Sequence, residues 1–399
     1  MSTPLKHKTL FLLSLVTFEF SVYVSNDMIL PALNQLYSDF HEPLKNLPLS
    51  LSFFLGGAVL LQLFVGALSD RFGRRTTMFL GSFVTLLGNF LAAIAPTIHF
   101  YYVARGFQGM GLCFISVAGY ACVHEIFETK EAVRNIAWMS SVSLLAPMIG
   151  PLCGSGILIF GKWNDIFWVT LGFAFISSVG LYFSMPESLP INKCVPLHIF
   201  NQIKSYMGLL KNKNFFFAGL SYSCIFGALM IWISSSPLYL MKNQESPTIF
   251  ALLQIPIFLA FILGNFFLRY LTFRYSVLKC YNIGYFILFV SAFVMLFSGF
   301  FASHLTIAMI FAMSIYNFGY GVMGSPNYRL ILESTQTLKG TASAFNGFTV
   351  FLISSLCPVF FSWIYHVSSG SSFAFLGSIA ALLFLGCAFR YFFVRFRTG

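Results

Sequence analysis

Three acids lie inside long apolar runs: Glu19, Asp27 and Glu125. An ionisable group in hydrocarbon costs about 3 kcal/mol by insertion scales, so each is a functional candidate. Glu19 and Asp27 share one run, eight residues apart. On a helix this spacing is about 12 Å along the axis and about 80° around it. Both can therefore face one cavity at different depths. A carboxylate removed from water resists carrying charge. Such a group can hold a proton and give it up when water or a cation arrives, which is the chemistry of proton exchange. The plainer reading pairs one of these acids with a buried base.

Arg105, inside another apolar run, is the base in question. Its depth matches that of Asp27, about six and four residues from the same end of their helices. Arginine stays protonated, so it would favour the ionised acid, and protonating Asp27 would break the interaction. A static arginine bonded to Gln108 or to backbone carbonyls is the alternative. Glu125, near the opposite end of the Arg105 helix, is read either as a gate latch paired with Arg74 or Arg329, or as a simple interfacial carboxylate. Arg329 itself is alternatively read as a side chain that snorkels to the surface.

The elements that must carry these residues follow from composition. The chain is 58% hydrophobic and 9% charged, where a soluble domain has about 25% charged residues. Its mean hydropathy is +0.81. Apolar runs of about 20 residues mark spanning helices. Twelve are expected, at 9–31, 48–69, 76–96, 99–126, 135–160, 164–185, 214–240, 248–269, 277–301, 304–332, 340–366 and 371–394. The fold class is thus an all-α membrane protein. The first run follows Lys6 and Lys8, is too long for a signal core and lacks a cleavage site, so it is expected to remain as helix 1. With both termini cytoplasmic, eighteen of the 23 Lys and Arg residues fall on the cytoplasmic side and only Lys45, Lys162 and Lys242 opposite. That asymmetry is the positive-inside pattern. It accounts for the net charge of +11 through membrane lipid head groups, with no nucleic acid needed.

The longest polar interruption, 188–213, divides the chain into 1–187 and 214–399, six helices each. Equal halves of six are expected of a transporter built from internal repeats, with its substrate site at the midplane. Within the interruption, 199–210 reads as an amphipathic helix along the membrane surface. Two motifs stand out. Gly66–Arg75 packs Asp70, Arg71, Arg74 and Arg75 into a short turn between helices 2 and 3. The second-half counterpart, Gly264–Arg274, keeps a glycine and two arginines but has no acid. On helix 5, Gly150 and Gly154 form a small face for close packing, flanked by Pro147 and Pro151, which favour bends. This kinked contact is suited to sealing one side of the protein. The eight cysteines form no Cys-x-x-Cys pair and the seven histidines have no metal-ligand spacing, so no metal, no cofactor and no enzymatic centre is expected.

These motifs together resemble the drug/proton antiporter branch of the major facilitator superfamily. The matching residues are Gly66, Asp70, Arg71, Gly73, Arg74 and Arg75; Arg105, Gln108, Gly109 and Gly111 on helix 4; and Gly150, Pro151, Gly154 and Gly156 on helix 5. Within it, Phe18–Ile29, Gly119–Glu125 and Ser314–Gly319 look like the multidrug type with an acid pair eight apart on helix 1. The resemblance implies two pseudo-symmetric six-helix bundles in a bacterial inner membrane. It implies Asp27 and Glu19 as protonation sites with Arg105, and a drug cavity lined by Tyr23, Asn26, Tyr120 and Met139. Gating would fall to Asp70, Arg71, Arg74, Glu125, Arg329, Gly150, Pro151 and Gly154. The implied function is proton-coupled efflux of lipophilic cationic and neutral drugs by alternating access, by a monomer. A proton-coupled symporter or metabolite exporter of the same fold is the alternative.

Overall fold

The computed structural model describes residues 5–128, 131–132, 134–136, 138–139, 145–189, 199–240, 246–301, 306–335 and 339–398. Among them every regular element is helical and no strand occurs. Eleven helices, from 19 to 32 residues long, are long and apolar enough to cross a membrane. A twelfth apolar helix, Ala146–Leu158, is shorter. The expected fifth span, 135–160, also includes residues outside those described. The chain is a multi-pass membrane protein of helical class. Its spans turn Phe183, Phe266, Phe297 and Phe300 outward, all well exposed, as a lipid-facing surface requires.

The chain divides into two compact units, Met1–Glu42 with Phe53–Phe200, and Pro43–Ser52 with Asn201–Gly399. The first holds α1 (Leu5–Asp27), α2 (Leu33–Asp39), most of α3 (Leu49–Gln62), α4 (Val65–Phe72), α5 (Arg74–Ala93), α6 (Ile98–Phe114), α7 (Tyr120–Ile126), α8 (Ala146–Leu158) and α9 (Trp163–Ser184). Here α1 packs on α8 and α9, and α5 on α6 and α9.

Three spans are less regular than their hydropathy predicts. The first does not run unbroken from 9 to 31. It stops at Asp27, gives way to a 3-10 turn at Leu30–Ala32, and resumes as α2. Pro31, which has no N–H to continue the α pattern, sits in that turn. The second span breaks after Gln62 and restarts as α4. In the fourth, a π turn at Ile115–Gly119 separates α6 from α7. Such turns insert one residue into the ladder and recur at functional sites.

The second unit holds α10 (Ile199–Lys211), α11 (Lys213–Leu240), α12 (Pro247–Thr272), α13 (Val277–Phe301), α14 (Thr306–Glu333), α15 (Lys339–Val367) and α16 (Ser372–Thr398). Helix α14 packs on α12 and α13, and α11 on α15 and α16. Four of these spans contain an internal proline, Pro237, Pro256, Pro326 and Pro358, which neighbouring helices tolerate by satisfying the freed backbone groups. On α10, Ile203, Met207 and Leu210 are exposed while Leu209 is buried.

Candidate functional site

Both helix 1 acids are sealed from solvent: Glu19 is 2% exposed and Asp27 3%. Between them Ser21 and Ser25 return their hydroxyls to the carbonyls of Phe18 and Val22, at 2.7 and 2.8 Å. That back-bonding keeps the serines local and bends a helix slightly. The two carboxylates meet different partners.

Asp27, at the end of α1, belongs to a hydrogen-bonded network across four helices. Asn26 Nδ2 donates to Asp27 Oδ1 at 3.0 Å, and Asn26 Oδ1 in turn accepts from Arg105 Nη2 on α6. Arg105, 1% exposed, also donates through Nη1 to Gln108 Oε1 at 2.7 Å. Gln108 Nε2 continues to Asn89 Oδ1 on α5 at 3.0 Å, where Thr170 Oγ1 of α9 donates at 2.8 Å. The guanidinium also lies over the Phe54 ring, 4.7 Å from its centroid. Of the two sequence readings of Arg105, the bond to Gln108 is formed, and Asp27 is joined to the arginine by way of Asn26. Because the arginine donates to the Asn26 oxygen, it orients that amide so that its N–H faces the carboxylate. Asn26, expected as a cavity-lining residue, is buried and acts as this bridge.

One residue further, the chain at Met28 is pinned by α8. A Cβ on Gly154 would fall 2.0 Å from Met28 O, and one on Gly150 2.7 Å from Asp27 Cβ. Any side chain at Gly154 would drive α8 off the end of α1. Pro151 lies buried within α8. The small face read from Gly150 and Gly154 is thus applied to α1 at the acid itself.

Glu19 occupies a second level. Its Oε1 accepts from Tyr120 Oη at 2.8 Å. Tyr120 is the first residue after the π turn, so the irregular segment of the fourth span leads directly to this bond. Tyr23, between the two acids on α1, is 37% exposed, whereas Met139 is buried.

The Gly66–Arg75 motif forms a separate polar cluster. Arg74 Nη1 donates to Asp70 Oδ1 at 2.6 Å and to Ser69 Oγ at 2.9 Å. Its Nε and Nη2 reach Glu125 Oε1 at 3.2 and 3.1 Å, and Ser188 Oγ donates to Glu125 Oε2 at 2.5 Å. Of the two partners read for Glu125, Arg74 is the one it meets, while Arg329 pairs with Glu333 four residues on, at 2.7 Å. Arg71 lies over the Phe72 ring, 5.3 Å from its centroid. Glu187, whose part the sequence reading did not foresee, caps α5: its two oxygens accept from the backbone N–H groups of Arg74 and Arg75 at 2.9 and 3.1 Å. A carboxylate is favoured at the positive end of a helix. Gly73, at φ +89°, makes the turn possible, and a Cβ there would meet the Glu187 carboxylate at 2.3 Å.

A lateral cavity of about 700 Å³ opens between α1, α8 and α9, walled by Phe20, Val24, Met28, Ile149 and Phe173. Its lining contains none of Tyr23, Asn26, Tyr120 and Met139.

Residues 15–358 match the family model described as Major Facilitator Superfamily. The chain is 32% identical over 378 residues to the multidrug transporter MdfA of Yersinia pestis bv. Antiqua, covering 94% of this chain and 92% of the relative. It is 34% identical over 346 residues to MdfA of Escherichia coli O6:H1, covering 86% and 84%. Among solved structures, the D-xylose-proton symporter superposes with a TM-score of 0.72 at 15% identity, covering 94% of this chain and 97% of that one. The human organic anion transporter MFSD10 (TETRAN) gives 0.64, also at 15% identity, covering 96% and 100%. These two likenesses carry the fold alone, whereas the family match and the relatives above 30% identity carry membership. The chain belongs to the Major Facilitator Superfamily.

Proposed function

We propose that this protein is a proton-coupled multidrug efflux antiporter that exports lipophilic cationic and neutral compounds by alternating access. The observation that carries the reading is the pair of buried carboxylates on α1, each held by its own donor set, in a chain related to proteins named multidrug transporters. A carboxylate out of water is costly to leave charged without a counter-ion or hydrogen bonds. It therefore accepts either a proton or a cationic substrate.

The cycle follows from that exclusion. Open to the cytoplasm, the deprotonated site takes up a lipophilic cation. Open to the outside, a proton displaces it, and return with the proton resets the site. Each net charge moved draws about 2.3 kcal/mol per 100 mV of membrane potential. Arg105 holds its charge throughout and stabilises ionised Asp27 through Asn26. Tyr120 stabilises ionised Glu19, so the two levels accept substrates of different charge. Tyr23 and Met139 line the drug site. Asp70, Arg71, Arg74 and Glu125 latch the cytoplasmic end, with Arg329 acting in the second unit. The protein works as a monomer in the bacterial inner membrane, with both termini in the cytoplasm.

Reciprocity supplies the test, because a proton that weakens cation binding must itself be expelled by the cation. Adding tetraphenylphosphonium to the detergent-solubilised protein in weak buffer should release protons. Asp27→Asn should release far fewer. Undiminished release from that variant would remove Asp27 from the mechanism, and no release from the parent protein would overturn antiport.

A further inference from the structure

The second unit carries a cation with no ion pair among the described residues. Arg390 lies near the end of α16, half-buried against the start of α13. Its Nη2 donates to Asn282 Oδ1 at 2.6 Å, and its guanidinium lies 5.7 and 5.5 Å from the ring centroids of Tyr281 and Tyr285. Its Nε is buried with no hydrogen-bond partner among the described residues. A guanidinium presents five N–H donors, and among the described residues this one's Nη2 meets Asn282 while its Nε meets no acceptor. The sequence offers no acid to fill it: α12, α13 and α16 contain neither Asp nor Glu. The one acid of α14, Glu333, is held by Arg329.

The guanidinium borders a cavity of about 600 Å³ between α13 and α16. Its other walls are Phe286, Phe289, Phe384 and Cys387. Phe286 and Phe289 are exposed, so the apolar wall continues onto the outer surface of the span. Lys279 and Arg395 lie on the same two helix ends and add to the positive charge. A site that joins an unneutralised guanidinium to an aromatic wall facing the bilayer matches a ligand with a phosphate at one end and hydrocarbon at the other. Basic pockets between spanning helices bind such head groups, and arginine grips phosphate through paired N–H bonds.

We propose that the cavity between α13 and α16 is a binding site for an anionic phospholipid. Arg390 holds the phosphate, and an acyl chain lies along Phe286, Phe289 and Phe384. The ligand neutralises a charge that would otherwise stand alone in the span, which is costly. The site lies wholly within the second unit and does not depend on the transport reading.

The test uses the full-length protein in detergent, with lipid retention read by native mass spectrometry. Phosphatidylglycerol should be retained in preference to phosphatidylcholine. Arg390→Gln should weaken that retention by about tenfold, the worth of one charge-assisted hydrogen bond. Asn282→Asp is the second variant. It is isosteric and sets a carboxylate where Asn282 Oδ1 now lies, 2.6 Å from Nη2, so it satisfies Arg390 internally and repels phosphate. It should lose the lipid to a similar extent while keeping the parent's thermal midpoint, which keeps the proposal testable if Arg390→Gln does not fold. Phosphatidylglycerol with a photoreactive acyl chain should crosslink to the peptide containing Phe286 and Phe289. Parental retention by a folded variant would overturn the site. So would equal retention of phosphatidylcholine, or protection by millimolar inorganic phosphate as strong as that by the lipid.

Discussion

The two units bury polar groups of different kinds. The first encloses formal charge: Glu19, Asp27 and Arg105, the last two joined by amides into a network that also takes in Gln108, Asn89 and Thr170. The second encloses neutral groups. Trp232 Nε1 donates to Gln254 Oε1 at 3.1 Å, Ser221 and Tyr285 share a hydrogen bond of 2.6 Å, and Asn327 Nδ2 donates to Tyr285 Oη at 3.3 Å. The turns after the second helix of each half differ in the same way. In the first half Arg74 ties Asp70 to Glu125. In the second, the Arg274 guanidinium lies over the Tyr270 ring, 5.1 Å away, with no ion pair among the described residues. Neutral hydrogen bonds hold helices together whatever the protonation state, whereas buried charge makes packing depend on it. On the proposed function, the difference puts the proton-linked groups in the first unit, while the second is held mainly by neutral hydrogen bonds around its one partly buried cation, Arg390.

The contrast can be broken at three places. Arg105→Met removes the centre of the charged network and leaves Asn26 Oδ1 and Gln108 Oε1 short of a donor. It is expected to cost about 1–3 kcal/mol for each acceptor left unsatisfied, seen as a large fall in the thermal midpoint in detergent together with loss of drug export. A variant as stable as the parent would mean that the network is not what holds α6 to α1. Tyr120→Phe deletes the donor to Glu19 at 2.8 Å and should cost about 1–2 kcal/mol. Its export of cationic drugs should change relative to neutral ones, measured as resistance profiles at matched membrane levels. Profiles shifted equally would merge the two levels into one. Tyr285→Phe, in the second unit, should lower stability by about 0.5–1.5 kcal/mol and leave the dependence of export on external pH unaltered. A changed pH profile there would erase the distinction between the units.

Much of this architecture was legible in the sequence because the bilayer imposes simple rules. Length and hydropathy located the spans, and the few acids within apolar runs identified Glu19 and Asp27 as the residues to follow. The eight-residue spacing allows both acids to face one cavity at different depths; the two meet different partners, and the lateral cavity is lined by neither. The irregularities were less visible, since apolar runs do not record their own hydrogen-bond pattern. Pro31 was a signal for the break after Asp27, but the interruption at Leu63–Phe64 and the π turn at Ile115–Gly119 have no comparable marker. Asn89 and Thr170 carry no ionisable group, so a search for buried charge does not reach them. A lone amide in a span also needs a partner and can be sought by the same argument. Glu187 looked like a loop acid, and its capping role depends on α5 beginning at a point that sequence alone gives only within several residues.

The contact of Gly154 with Met28 has a mechanical consequence. Side chains between helices act as compliant spacers, since a rotamer change can absorb a small displacement of one backbone without moving the other. Here the spacer is missing, and the α8 backbone rests on the carbonyl that follows the titratable aspartate. Such a joint transmits inward displacement without backlash, because two chains already at van der Waals range cannot come nearer. A fraction of an ångström of travel at the end of α1 toward α8 is therefore travel of α8 as well.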